Sequence, residues 1–273
     1  MNPSLMFRSL LVLLVFAAMA SGCAKNIPPP ENAIEDPAQL RAAIDARLGQ
    51  IEDARFSEIV LDYFGDGQRV KVRQLILVKQ PDKLRVQTRI PGTDSIMSVL
   101  VTDGETFAMH NRDTNEYFTG APTPANISRL LPVDLSARDV VRMMLGGAPW
   151  DRFERSAAPA ELRWNPKTGR YSYEKSMPTG GKLKMEVRPS DFAVIELTET
   201  DAKENTTYRY TSEDWKRTKD NDRIALPEYR RFVWPARNLD FSLDIRGTQL
   251  DPGLVDPLFE LAAPAGSTVV EVQ

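Results

Sequence analysis

The sequence predicts a mainly β fold: one large, curved antiparallel sheet, with a helix before it and two short helices in mid-chain. Three observations carry this. Apolar and polar residues alternate over many short runs, the period of a strand buried on one face. Clusters of Gly, Pro, Asn and Asp separate those runs, so the strands follow one another in meander order. Helical spacing of apolar residues appears in only three places.

Residues 37–52 read as the first helix, because Leu40, Ala43, Ile44, Arg47, Leu48 and Ile51 recur at helical spacing. The period then becomes two, in 69–73 and strictly in 83–90. Residues 96–101 form another strand, reversed by Thr102-Asp103-Gly104-Glu105. Short strands over 106–110 and 116–118 flank a turn at 111–114. Residues 124–131 and 136–145 predict the two short helices; Asp134 or Ser136 caps the second, and Gly146-Gly147 ends it. Strands resume at 161–164, 170–175, 182–188, 193–199, 206–211, 224–234 and 238–246. The last of them shows Leu239, Phe241, Leu243 and Ile245 on one face. The central helices are left to cover the concave side of the sheet. No repeat divides the chain, so residues 39–273 read as one domain.

The N-terminus reads as an export signal. Arg8 precedes an apolar stretch over 10–20, which is short for a bilayer span. Ala20-Ser21-Gly22-Cys23 resembles the bacterial lipobox, and Cys23 is the only cysteine, with no disulfide partner. The resemblance implies a cleaved signal peptide over 1–22 and a Cys23 that carries acyl chains such as palmitate. Residues 23–38 then read as a lipidated, Pro-rich tether. No Asp follows Cys23, which by the enterobacterial sorting rule implies the outer membrane, with the domain facing the periplasm.

Composition narrows the function. The formal net charge is −3, and loss of Arg8 with the signal makes it one unit more negative. An acidic domain argues against nucleic acid as a partner. No cofactor or metal is expected: His110 is the only histidine, and no second cysteine exists for ligation. His110 reads as a surface or cavity-rim residue, and Asp220 and Asp222 as part of a solvated loop. No enzymatic activity is expected.

Three segments resemble the LolA/LolB lipoprotein-localisation superfamily. Lys79-Gln80-Pro81-Asp82-Lys83-Leu84-Arg85 is similar to its Lys-x-Pro-x-x-x-Arg segment. Val101-Thr102-Asp103-Gly104-Glu105-Thr106-Phe107 is similar to its Asp-Gly hairpin. Leu258-Phe259-Glu260-Leu261-Ala262-Ala263-Pro264-Ala265-Gly266 is similar to its closing strand. The opening helix fits as well. The resemblance implies an open antiparallel half-barrel with short lid helices over an apolar hollow that holds acyl chains of lipoproteins or lipids. Lipidation makes the chain more like the outer-membrane receptor than the soluble carrier. A periplasmic carrier or another envelope protein is then an implied partner.

Candidate cavity residues follow from the periods. On strands they are Leu84, Val86, Ile90, Val99, Leu183, Met185 and Val187; on the second mid-chain helix they are Val140, Met143, Met144 and Leu145. The same patterns fit a plain packed core. Arg85 either ties the sheet to the lid, as an arginine does in the carrier, or is an ordinary surface residue. Ile96 or Met97, beside the 90–96 loop, is a candidate membrane-facing apolar residue. Two functions stay open: an acyl-chain binder, which needs an accessible hollow, and a scaffold or sensor module that binds a protein partner without lipid, which a collapsed hollow would favour.

Overall fold

The computed structural model describes residues 26–65, 67–90, 92–93, 95–129, 133–218 and 224–272. The signal segment, Cys23, Asp220 and Asp222 lie outside these residues, as does Leu131 of the first mid-chain helix. Helix α1 (Pro37–Leu48) leads into strands β1 (Asp53–Gly65), β2 (Gln68–Lys79), β3 (Lys83–Arg89), β4 (Ile96–Thr102), β5 (Phe107–Asn111) and β6 (Glu116–Gly120). Three short helices follow: α2 (Pro124–Ile127), α3 (Ala137–Met144) and α4 (Trp150–Glu154). A second run of strands comprises β7 (Ala160–Asn165), β8 (Arg170–Ser176), β9 (Lys182–Val187), β10 (Val194–Thr200), β11 (Thr206–Arg217), β12 (Ala225–Trp234) and β13 (Leu239–Leu250), and the chain ends in β14 (Thr268–Val272).

Among the described residues, fourteen strands join one open sheet in the order β14-β6-β5-β4-β3-β2-β1-β13-β12-β11-β10-β9-β8-β7. It is two antiparallel meanders fused where β1 pairs with β13. The first meander ends at β6 and the second begins at β7, near opposite edges. The chain between them has to cross the sheet, and it does so through α2, α3 and α4. Topology thus puts these helices over the concave face.

The helices and the inward strand positions form one apolar core, from Leu40 and Ile44 of α1 to Phe241 and Ile245 of β13. Asp36 caps α1, accepting a hydrogen bond from the Ala38 amide at 3.1 Å. The helix stops at Leu48, short of the expected residue 52, because Gly49 follows.

Strand β1 is absent from the sequence reading for a physical reason. Its register shifts between Phe56 and Ile59, a bulge that breaks the period of two. Three further expectations are corrected. Residues 258–266 are not a strand: Asp256–Phe259 is a 3-10 turn whose Phe259 packs on Leu77 and Leu254 on the outer face. The closing strand is β14, which pairs in parallel with β6 and covers that edge. The described part of the expected tether is docked along the second meander. The Ile27 amide donates to Pro166 O at 2.8 Å, Trp164 Nε1 to Ile27 O at 2.8 Å, and the Ile34 amide to the Tyr171 hydroxyl at 3.0 Å. Ala33 and Ile34 pack against the core.

Candidate functional site

The site that the fold builds is the contact between the sheet floor and the lid. Ser136 caps α3 by accepting from the Asp139 amide at 3.1 Å, and its hydroxyl donates to Asp151 Oδ2 at 2.6 Å. Asp139 in turn caps α4, accepting from the Asp151 and Arg152 amides at 3.1 and 3.0 Å. These bonds tie the two helices into one unit.

Arginines hold this unit down. Arg230 of β12 is fully buried beneath α3. Its guanidinium donates to Met144 O and Pro227 O, both at 2.7 Å, and lies over the Phe56 ring at 5.5 Å. Arg47 of α1 donates to Leu145 O at 2.9 Å and to Ala225 O at 2.8 Å. Both cations thus end on the last carbonyls of α3, which lack helical partners and sit at the negative end of the helix dipole. Burial lowers the Arg47 pKa to about 10 and lowers that of Arg230 as well. Arg152 of α4 makes a bond from Nη2 to Glu199 Oε2 at 2.6 Å and another from Nη1 to Asp134 O at 3.1 Å. Its guanidinium covers the Tyr208 ring at 4.4 Å.

The hollow itself is closed. Ile76, Phe232, Phe241 and Leu243 of the floor meet Val140, Met143 and Met144 of the lid around a cavity of about 20 Å³. That is room for about one water molecule and far below what an acyl chain occupies. Val133 and Leu135 close one side of it.

The lid carries a titrating group. Burial, and next the Asp151 carboxylate, raise the Asp139 pKa to about 7, against backbone hydrogen bonds and Arg142, which lower it. A carboxyl whose folded pKa is raised contributes stability that is present below its unfolded pKa and lost as pH rises through the folded value. Stability is therefore expected to fall between about pH 4 and about pH 7 on account of this group. Urea unfolding across that range reads the slope, and Asp139→Asn should flatten it. An unchanged slope in the variant would assign it to other carboxylates.

Leu84, Val86, Val140, Met143, Met144, Leu145, Leu183, Met185 and Val187 all lie in the core between floor and lid. Val99 does not. It sits on the outer face with Val101, Ala108 and Tyr117, while Leu100 points into the core. The run 96–101 is apolar on both faces, so its alternation has no phase; the C-terminal strap covers the outer side, with the Tyr117 hydroxyl donating to Leu261 O at 2.6 Å. Ile90 is 36% exposed at the end of β3. Ile96 and Met97 are half-buried, Ile96 against the outer cluster. Arg85 also points outward and donates to Leu258 O at 2.8 Å, so it holds the strap and not the lid. His110 is half-buried and contacts Asn115 Oδ1 through Nε2 at 3.3 Å.

Arg47 and Arg230 together latch the end of α3, a role the sequence reading did not assign to either, although both carried a signal. Arg230 shares strand parity with Phe232 and Trp234, and Arg47 lies in the apolar stripe of its helix. A charge at an inward position must be hydrogen-bonded there. Among the described residues no group of three or more His, Cys, Asp or Glu side chains is placed to hold a metal ion. No described helix is long and apolar enough to cross a membrane.

No family model and no curated protein matches the sequence. Solved structures do match the fold. A DUF1329 family protein from Desulfovibrio piger superposes with a TM-score of 0.58 at 14% identity, over 81% of this chain and 95% of that one. An outer membrane lipoprotein-sorting protein domain from Vibrio parahaemolyticus gives 0.58 at 9% identity, over 81% and 94%. A LolA superfamily protein from Nitrosomonas europaea gives 0.53 at 12% identity, over 81% and 97%. The fold is the LolA-like open half-barrel with a helical lid.

Proposed function

We propose that the chain is a lipid-anchored, periplasm-facing protein that takes up acyl chains of lipoproteins or lipids between floor and lid, in the course of lipoprotein localisation to the outer membrane. The observation that carries this is the latch. A plain core has no need of fully buried Arg230 and near-buried Arg47 ending on one helix terminus. Buried cations on neutral carbonyls are a costly way to hold a helix, and they suit a helix that must leave and return. The surfaces that part when α3 lifts are apolar and rich in methionine, whose flexible side chain adapts to varied chain shapes. Lipidation of Cys23 would supply the anchor. Cys23 lies about four residues before the docked Ile27, a reach of roughly 14 Å at most, so the β7–β8 end would face the membrane.

The closed cavity favours a second reading, a module of the same fold whose lid stays shut and whose outer surface binds an envelope protein. The two separate on one experiment. Cys23→Ala protein, purified without detergent, is mixed with a fluorescent fatty acid and also weighed by native mass spectrometry. Acyl uptake is expected, with a higher rate in Arg47→Gln, which removes part of the latch. If neither protein takes up the probe nor carries a co-purifying acyl mass, the carrier reading falls and the protein-binding module stands.

A further inference from the structure

The outer face of the sheet, opposite the lid, carries a basic groove of about 470 Å³. Four neighbouring strands each place one arginine along it: Arg89 of β3, Arg73 of β2, Arg55 of β1 and Arg246 of β13. Glu58 is the only carboxylate among the described lining residues.

Three features set the groove apart from the surrounding surface. First, Arg73 and Arg89 are register partners, so like charges face each other across β2 and β3. Second, Arg55 and Arg73 are exposed and make no side-chain hydrogen bond or ion pair with any described residue, whereas nearby cations are matched. Arg69 and Lys71 share Asp62, and Lys79 and Lys83 share Asp256. Third, the β1 bulge lies within the groove, with Glu58 in the left-handed region at φ 55°. Bulges bend a strand and re-aim its side chains, and they gather beside binding sites.

We infer that this groove binds a phosphate-bearing anion, with Arg55 and Arg73 as its principal ligands. A guanidinium fork matches a pair of phosphate oxygens, and charge-assisted bonds of this kind are the strong ones. The volume suits a small ligand. The anion would neutralise Arg55 and Arg73. The site lies on the side of the sheet away from the acyl hollow, so it stands or falls independently of the proposed carrier role.

The test uses the full chain with Cys23→Ala, so that no anchor holds it to a vesicle. Inorganic pyrophosphate is titrated by calorimetry at low salt, and phosphatidylglycerol vesicles are tested by flotation beside neutral phosphatidylcholine vesicles. Saturable pyrophosphate binding is expected, weakened about tenfold in Arg55→Gln and in Arg73→Gln. Both positions are exposed, so both variants should keep the wild-type unfolding midpoint. Flotation that pyrophosphate competes away identifies a lipid headgroup as the source; pyrophosphate binding without flotation identifies a soluble phosphate; each supports the site. Absence of saturable binding to both probes, or binding that both variants keep at full strength, overturns it.

Discussion

Arg230→Ala is expected to destabilise the protein by about 3–5 kcal/mol, from two stranded acceptors and an enlarged cavity. The side chain is fully buried. Its loss strands Met144 O and Pro227 O, each a buried acceptor worth roughly 1–3 kcal/mol when left unsatisfied. It also enlarges the small cavity between Ile76, Phe241 and Met144, which adds a cost that grows with volume. Urea unfolding monitored by tryptophan fluorescence gives the magnitude. Hydrogen exchange gives the location: the amides of α3 should lose protection before those of β12. A loss below about 1 kcal/mol, equal to that of a surface arginine, would refute the latch.

Trp150→Ala should cost a similar amount, about 3–5 kcal/mol, for a different reason. Trp150 is 1% exposed and joins three elements. Its indole N–H donates to Asp45 of α1 at 2.8 Å. Its ring meets Phe153 of α4 at 5.8 Å and Tyr173 of β8 edge-on at 5.6 Å, and the Arg41 guanidinium lies over it at 4.7 Å. Truncation opens a void that a backbone fixed by two helices and a strand cannot fill. Trp150→Phe keeps most of the ring and loses the Asp45 bond, so it should cost only about 1–2 kcal/mol. A thermal-denaturation series over the three proteins checks the order. Equal midpoints for Trp150→Ala and Trp150→Phe would place the weight on the hydrogen bond instead of the packing.

Much of the fold could be read along the chain because each strand solves a local problem. In 83–89 and 239–246 the apolar side chains have one face to bury, and a period of two follows from the geometry of the pleat. Turn chemistry at Asp103-Gly104 is equally local: Gly104 takes a φ of 99°, and Asp103 accepts from the Glu105 and Thr106 amides at 2.9 and 2.7 Å. Where a distant segment intervenes, local reading fails. Strand β1 loses its period to a bulge. Val99 and Leu100 can be told apart only once the strap from residues 251–266 covers one side of β4. Whether Arg85 ties the lid or lies on the surface was open along the chain; the even positions of β3 face the core and Arg85 is odd, so it points outward.

Alternation along a strand assigns each side chain to one of two faces, because a one-residue slip would move the whole set across. It carries no information on what lies over that face. Pattern alone assigned a face to most strand positions, Val99 and Ile90 excepted, whereas the state of the hollow was outside its reach. That depended on the crossing from β6 to β7, which lays α3 and α4 over the floor, and on Arg47 and Arg230 meeting at one helix end from segments 183 positions apart in the numbering of the chain. Contacts between elements so far apart are set by how the sheet curves and closes, a property of the whole molecule that no run of a few residues encodes.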